Sequence, residues 1–378
     1  MFLHYGAVGM TEEPLTRDNL RRALAVSGGS LTVVIVALLV SAASPSSPVA
    51  SGEPVAQSPI ATGRPDTLLW TQMQNVDLHI NATSAMHLPT LRGQVITLKG
   101  NVPALDDPTS FKIRITAATV TLDGPALTAL MNNIVFNYKG SPVRRLRITI
   151  ENGEVVQHGV MHKGVDIPFT MNAKPELQPD GTVKLVPTKM RVFGGVDGFK
   201  LLHALGIHLD KMLNHLEGAH GAFVHGDDIY LKPTEIIPPP KVEGRLASLR
   251  VEGNLMVQEF VRTADDTVFG TFVKPEPGAR NFIYFRGAHL TFGKLTMTDT
   301  DLFIQDADER DAFDVLFTEY NKQLVAGYTR NKPNYGLHTF MVDYAKMGKV
   351  QLTTPVGAGP TLDSADAARR RVAWSDNR

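Results

Sequence analysis

The sequence contains no cysteine and carries no net charge, and each absence excludes a class of function. Without cysteine, the 378-residue chain has no disulfide, no thiolate nucleophile, no zinc–cysteine or iron–sulfur site, and no acylated cysteine of a bacterial lipoprotein. Its 38 Lys and Arg residues balance its 38 Asp and Glu residues. A neutral chain lacks the basic excess that neutralises nucleic-acid phosphates, so we expect no nucleic-acid partner.

Sequence motifs of several enzyme classes are also missing. The sequence has no Gly-x-Ser-x-Gly elbow, no P-loop and no dinucleotide-binding glycine fingerprint between a strand and a helix. We therefore predict that the protein is not an enzyme and that it uses no cofactor.

An apolar segment near the N-terminus predicts export. Three arginines precede an apolar stretch at residues 23–43, and its uninterrupted part, 31–40, has the length of a signal-peptide core. Residues 1–43 are predicted to be a signal peptide or an N-terminal membrane anchor. Either one places the rest of the chain in the periplasm or on the outer face of the cytoplasmic membrane. Residues 44–65 are rich in Pro, Ser, Ala and Gly, which predicts a flexible linker.

From residue 66 onward the hydrophobic pattern is mostly that of strands. Within residues 113–122, the apolar side chains fall first on odd and then on even positions, which predicts a β-bulge in one strand. Asn152-Gly153 predicts a two-residue hairpin turn, and Pro179-Asp180-Gly181 predicts a second turn.

Three amphipathic helices are predicted among the strands. The first begins at Asp123 as N-cap, the second begins at Asp197 as N-cap, and the third spans residues 308–326. The apolar stripe of the first helix contains Leu127, Leu130 and Met131. The stripe of the second contains Leu201, Leu205, Leu209, Met212, Leu213 and Leu216. These two stripes fit either an ordinary core or the lining of a ligand groove, and the pattern leaves both open.

Many antiparallel strands with few helices predict an α+β fold. The simplest architecture that uses both the bulge and the leucine stripe is a long, bent antiparallel sheet that wraps one or two amphipathic helices. Residues 348–378 are rich in Gly, Pro, Asp and Ala and are predicted to be a disordered tail.

Histidines and aspartates near the second helix are the candidates for a metal-dependent hydrolase site. They are His203, His208, His215, His220, His225, Asp227 and Asp228. No two of these histidines are four residues apart, and His-Glu-x-x-His is absent, so we predict no metal site. The favoured interpretation is a solvated helix edge and turn.

Two further charged clusters have ordinary structural explanations. The acidic run at residues 299–311 lacks the spacing of an EF-hand, and we predict that Asp306 and Asp308 cap the third helix. Arg144, Arg145 and Arg147 lie on a predicted half-exposed strand and suit either plain solvation or contact with anionic lipid headgroups.

Several segments also follow the order of a known family. An alternating strand at 118–122 runs into a short helix at 126–132, and paired strands follow with the phrase Gly-Val-Asp-Ile-Pro-Phe at 164–169. The leucine helix and a closing segment at 249–255 complete the match. Over about residues 113–260, the chain resembles the LmeA-like family of envelope phospholipid-binding proteins.

The resemblance implies a fold like that of the tubular lipid-binding (TULIP) proteins, in which a long curled sheet surrounds a helix and forms an apolar groove. It implies a lipid-binding-like α+β domain at 66–260 and, beyond the match, a β-rich extension at 261–347. This extension either completes the sheet or forms a separate module.

The favoured hypothesis is non-enzymatic binding or transfer of a phospholipid or other acyl lipid in the bacterial cell envelope, with membrane contact through the N-terminal segment. Its rivals are an envelope scaffold or adaptor without ligand, and a metal-dependent hydrolase.

Overall fold

The computed structural model describes residues 67–163, 165–192, 195–200, 221–332 and 335–353. Strands dominate this part of the chain. In chain order they are β1 Leu69–Asn81, β2 Ser84–Thr97, β3 Phe111–Leu122, β4 Val143–Glu151, β5 Glu154–Lys163, β6 Val165–Leu177, β7 Val183–Val192, β8 Val196–Asp197, β9 Ala222–His225, β10 Asp228–Leu231, β11 Lys241–Glu243, β12 Leu246–Glu252, β13 Leu255–Phe260, β14 Phe282–Gly287, β15 Leu290–Phe292, β16 Leu295–Met297, β17 Thr300–Asp306, β18 Phe313–Val315, β19 Tyr328–Asn331 and β20 Leu337–Met341.

The helices in this part of the chain are short. Helix α1 is Gly124–Leu130 and continues as a π-helical turn at Met131–Val135, and helix α2 is Tyr320–Ala326. Turns of 3₁₀-helix occur at Ala264–Val268, Phe317–Glu319 and Tyr344–Lys346. The molecule is therefore α+β with large sheets, as the strand-rich pattern predicted.

The strands form two large sheets. The first sheet has the order β12-β13-β3-β2-β1-β14-β17-β20-β19, with β11 added beside β3 and β18 beside β1. The second sheet has the order β4-β5-β6-β7-β10-β9, with β8 added beside β7, and β15 pairs only with β16. One continuous cluster of buried apolar side chains joins residues of both large sheets, so the main core lies between them.

The described strands thus divide between two large sheets, where the sequence predicted one long sheet. The chain leaves the first sheet at Leu122, passes through α1, and enters the second sheet at Val143. Among the described residues, it next joins the first sheet at Lys241, where β11 pairs in parallel with β3. Helix α1 thus marks the change from one sheet to the other.

Residues 261–347, for which the sequence left two possibilities open, complete the first sheet. Strand β14 pairs antiparallel with β1 along six positions, from Leu69↔Gly287 to Gln74↔Phe282. Strands β17, β20 and β19 then extend the sheet outward from β14.

The predicted bulge lies in β3. Arg92 of β2 faces Ala117 and Gly93 faces Ile115, so Thr116 is the extra residue. The insertion reverses the alternation, and consequently side chains on both sides of Thr116 turn toward the core. At Gly93 a Cβ atom would approach the Arg114 carbonyl oxygen to 2.6 Å, so this position accepts only glycine without a backbone shift.

The hairpin turn at Asn152-Gly153 is confirmed. It joins β4 to β5, and both residues have positive φ angles, of 53° and 78°. This is the conformation of a type I′ turn, which the Asn-Gly sequence favours. Pro179-Asp180-Gly181 also lies in a turn, between β6 and β7, where Thr182 N donates to Asp180 Oδ1 at 2.9 Å.

The prediction of a helix at 308–326 is wrong over its first half. Phe313 and Val315 form β18, which pairs in parallel with Val76 and Leu78 of β1. Their spacing of two residues lets both side chains pack into the core from a strand, and this outweighs the helical spacing of the segment. Only Tyr320–Ala326 is α-helical.

The predicted capping role of Asp306 and Asp308 is wrong for the same reason. Asp306 ends strand β17, and its Oδ1 accepts a hydrogen bond from Asp308 N at 2.8 Å. The two residues therefore shape a turn between strands and not the first turn of a helix.

Several predicted segments fall partly or wholly outside the described residues. These are the signal or anchor at 1–43, the linker at 44–65, the leucine helix beyond residue 200, and the tail beyond residue 353. At the start of the leucine helix, residues 198–200 are helical and Lys200 N donates to Asp197 Oδ1 at 3.1 Å, which agrees with the predicted N-cap. The predicted disordered tail is anchored at its beginning, because Leu352 N donates to the Ala326 carbonyl at 2.8 Å. Among the described helices, none has both the length and the apolar character needed to span a bilayer.

Candidate functional site

An apolar cavity lies against the inner face of the first sheet; we call it the sheet cavity. Its volume is about 50 Å³. Strands β1, β2 and β3, together with β11 and β13, supply most of its lining. These strand residues are Met73, Leu78, Met86, Leu88, Leu91, Ile113, Ile115, Val120, Leu122, Val242, Gln258 and Phe260. Leu130, Phe317 and part of the connector at residues 233–240 complete it.

The bulge in β3 is what makes this wall continuous. Ile113 and Ile115 line the sheet cavity before the inserted residue, and Val120 and Leu122 line it afterwards. Without Thr116 the second pair would face the opposite side of the sheet.

A second apolar cavity lies between α1 and the second sheet; we call it the helix cavity. Its volume is about 30 Å³. Its lining comes from both sheets and from α1 with its π-helical extension. The residues are Leu122, Leu127, Met131, Ile148, Val155, Gln157, Val183, Leu185, Leu231, Pro233, Ile236, Met256 and Gln258.

The two cavities share a wall. Leu122, Pro233, Ile236 and Gln258 line both of them. These four side chains therefore separate the two apolar spaces.

Helix α1 is held so that its apolar stripe meets both cavities. Its N-terminus is capped by Asp123, whose Oδ1 accepts from Ala126 N at 2.8 Å. The face toward β4 carries Thr128, which accepts from Ile148 N at 2.9 Å, and Asn132, which donates to the Leu146 carbonyl at 2.7 Å. The opposite face is then free to line the cavities.

The three residues of the first stripe that were predicted to line a groove all lie on cavity walls. Leu130 lines the sheet cavity, and Leu127 and Met131 line the helix cavity. The second stripe, from Leu201 to Leu216, lies outside the described residues.

Sequence reasoning missed the connector at residues 233–240. Ile236 in this connector is 4 % exposed and lines both cavities. The available signal was the pair Ile236-Ile237 beside the prolines, because an apolar pair in a connector indicates packing against the core.

Two glutamines place polar groups in this otherwise apolar space. Gln157, on β5, is 3 % exposed and its Nε2 has no hydrogen-bond partner. Gln258, on β13, is 5 % exposed, and its Nε2 contacts Met256 Sδ at 3.7 Å. Thioether sulfur is a weak acceptor, so this contact satisfies the second amide poorly.

The predicted headgroup arginines lie beside a more polar surface cleft; we call it the arginine cleft. It has a volume of about 270 Å³ and lies at the far end of the π-helical turn. Its lining is Asn132, Phe136, Tyr138, Gly140, Ser141, Val143, Arg144 and Arg145. Arg147 is exposed on β4 but does not line the cleft.

Asp166 partly compensates the positive charge at this cleft. Arg145 approaches Asp166 Oδ2 at 3.6 Å, and His162 Nδ1 donates to Asp166 Oδ1 at 2.6 Å. The hydrogen bond from His162 holds the pKa of Asp166 below its usual range, and the nearby charges of Arg145 and Arg144 lower it further. The aspartate therefore stays ionised, and its single negative charge faces two arginines, Arg144 and Arg145.

The described members of the proposed hydrolase cluster sit on an ordinary hairpin. His225 and Asp228 face each other across β9 and β10, and Asp228 Oδ2 accepts from Lys184 Nζ at 2.8 Å. Asp227 lies in the turn between these strands. The other four histidines lie outside the described residues.

An acidic cluster at the end of strand β17 is the metal-ligand grouping found in the described part of the chain. Carboxylate oxygens of Asp306, Asp311 and Asp343 lie within 4.8 Å of one another. The Lys346 ammonium lies among them, at 2.5 Å from Asp343 Oδ2 and 3.8 Å from Asp311 Oδ1. A cation of the protein itself thus compensates the cluster.

Burial changes the ionisation of this cluster. It raises the pKa of Asp306 to about 7, and the neighbouring Asp343 carboxylate adds to the rise. Burial also raises the pKa of Asp343, against the lowering effect of the hydrogen bond from Lys346. The cluster therefore takes up a proton near neutral pH.

Comparisons of the chain with protein-family models, with curated proteins and with solved structures gave no significant match.

Proposed function

We propose that the protein binds an acyl lipid between its two sheets, without catalysis, in the bacterial cell envelope. The observation that carries this proposal is the pair of adjoining apolar cavities, whose shared wall consists of only four residues. The hydrocarbon chain occupies the sheet and helix cavities. The headgroup lies toward the arginine cleft. Asn132, which lines this cleft, directly follows Met131, which lines the helix cavity. The TULIP-like arrangement and the exported location implied by the sequence belong to the same proposal.

The energetics favour such a ligand. Each buried methylene contributes about 0.8 kcal/mol, so a sixteen-carbon chain gains on the order of 12 kcal/mol on leaving water. Leu and Met side chains suit chains of different length, because they adapt their rotamers at low cost. Met73 and Met86 line the sheet cavity, and Met131 and Met256 line the helix cavity.

Binding must widen the cavities. An engineered cavity that binds benzene measures about 150 Å³, whereas the two spaces here measure about 50 and 30 Å³. We infer that the connector at 233–240 moves. Three of the residues between Ile236 and Lys241 are prolines, which have no backbone N–H to lose, so displacement of this segment breaks few hydrogen bonds.

The small volumes also favour one rival, an envelope scaffold whose apolar stripes are simply a packed core. In that case the cavities are ordinary packing defects, and the connector is a fixed part of the fold. The two functions differ in whether the protein takes up lipid.

An uptake experiment separates them. Full-length protein is incubated with phosphatidylglycerol vesicles that contain a fluorescent acyl-chain-labelled phosphatidylglycerol and is then separated from the vesicles by gel filtration. The lipid-binding proposal predicts about one labelled lipid per chain. Protein that elutes without label supports the scaffold and contradicts the proposal.

A further inference from the structure

The two buried glutamines face the same space from opposite sheets. Gln157 shares a face of β5 with Val155, and both side chains line the helix cavity. Gln258 shares a face of β13 with Met256, and it lines the helix cavity and the sheet cavity. The amide of one sheet thus meets the same cavity as the amide of the other.

Their unmet hydrogen-bonding capacity points to a ligand. Buried polar groups almost always have partners, because a lost hydrogen bond is not replaced by water in an apolar interior. Gln157 Nε2 has none, and Gln258 Nε2 has only a thioether contact. If this region were only a packed core, leucine or methionine would suit both positions better than glutamine, because these side chains have a similar volume and no unpaired hydrogen-bond donor.

The unpaired groups are N–H donors, so the missing partner is an acceptor. An acceptor that enters an apolar cavity must itself be attached to hydrocarbon. The carbonyl oxygens of an acyl ester meet both conditions, since they accept hydrogen bonds and carry no charge to desolvate.

We propose that the bound lipid is an acyl ester, and that Gln157 Nε2 and Gln258 Nε2 donate hydrogen bonds to its ester carbonyl oxygens. This inference rests on the proposed lipid-binding function and specifies its ligand class. The amides then fix the depth of the lipid, with the acyl chains beyond them in the apolar cavities.

A matched pair of probes tests it. Dipalmitoyl phosphatidylglycerol carries two ester carbonyls, and dihexadecyl phosphatidylglycerol has ether linkages without them. Their affinities for the full-length protein are compared by competition with a fluorescent phosphatidylglycerol. One neutral hydrogen bond to each amide predicts that the ester binds at least about fivefold more tightly than the ether.

Two variants assign the preference to the cavity amide. Gln157→Leu, like Gln258→Leu, should lower the preference from about fivefold to about twofold, because it removes one of the two hydrogen bonds, and it should do so by weakening ester binding and leaving ether binding unchanged. It should also leave the melting temperature of the ligand-free protein unchanged or raise it, since it removes an unpaired buried donor. Gln94→Leu is the control, because Gln94 is 4 % exposed and has an unpaired Oε1 but does not line either cavity.

The possible outcomes distinguish failure of the ester inference from failure of the proposed lipid binding. Equal binding of ester and ether by the wild-type chain overturns the ester inference and leaves lipid binding standing. Absence of binding to both probes overturns the proposed function. An ester preference that Gln157→Leu and Gln258→Leu both retain also overturns the assignment to these amides. If either variant fails to fold, the ratio of ester to ether affinity in the wild type and in the remaining variant still tests the assignment.

Discussion

The most informative perturbation of the account is Ile236→Ala, because Ile236 forms part of the wall between the two cavities. Removal of its three outer carbons loses about 2.4 kcal/mol of transfer free energy, at about 0.8 kcal/mol for each group. The space left behind adds a cavity term, so the free energy of unfolding should fall by about 3 to 4 kcal/mol. The same change opens the passage between the sheet cavity and the helix cavity.

Lipid should reverse much of this loss. A ligand present at one hundred times its dissociation constant stabilises the native state by about 2.7 kcal/mol. Since the enlarged cavity receives an acyl chain more readily, we expect Ile236→Ala to bind lipid at least as tightly as the wild type. Its melting temperature should therefore rise more on lipid addition than that of the wild type.

Ile304→Ala is the matched control. Ile304 lies in β17, is also 4 % exposed, and lines neither cavity. It should lose a similar free energy of unfolding in urea titrations, without any gain in the response to lipid. If the two variants respond equally to lipid, or if neither responds, the cavities are not a binding site and the reasoning is refuted.

Three further predictions concern the acidic cluster, the cap of α1 and the arginine cleft. Asp306→Asn should raise the free energy of unfolding at pH 8 by up to about 4 kcal/mol in urea titrations and change it little near pH 3. The folded pKa of Asp306 is about 7 against 3.8 for a free aspartate, so its contribution is complete at acid pH and is lost as the pH rises through 7. Asp123→Ala should lower the free energy of unfolding by about 1 kcal/mol, because it removes the hydrogen bond to Ala126 N. Arg144→Gln combined with Arg145→Gln should weaken the binding of anionic phosphatidylglycerol more than that of zwitterionic phosphatidylcholine, as measured by lipid competition.

Each of these predictions has a contrary result. An Asp306→Asn variant whose stability changes equally at both pH values would show that the carboxyl does not titrate between them. An Asp123→Asn variant retains a capping oxygen and should keep most of the stability. Equal losses of unfolding free energy for Asp123→Ala and Asp123→Asn would therefore contradict the capping role of Asp123. If the double arginine variant binds both lipids equally more weakly, the headgroup does not lie at the arginine cleft.

Local features of the fold were predictable because they depend on neighbouring residues. The Asn152-Gly153 turn, the Asp123 cap and the bulge near Thr116 follow from backbone conformation and from the alternation of side chains. The apolar stripe of α1 was also predictable, and with it three of the residues that line the cavities.

Long-range features were not predictable from local pattern. The parallel pairing of β18 with β1 depends on residues far apart in the sequence, and it replaces half of a helix whose spacing looked regular. The division into two sheets depends on which strands find partners after α1. Gln157 and Gln258 each lie in an ordinary strand sequence. Their amides reach one cavity only because the two sheets pack against each other.

Native mass spectrometry of the full-length protein, followed by lipid extraction, tests the central claim most directly. The protein is purified without added lipid, and its mass is compared before and after denaturation. The account predicts an added mass equal to one acyl-ester lipid, which is lost on denaturation and recovered in the extract. A chain that carries no added mass, and that still carries none after incubation with phosphatidylglycerol vesicles, would contradict the claim that the space between the sheets is a lipid site.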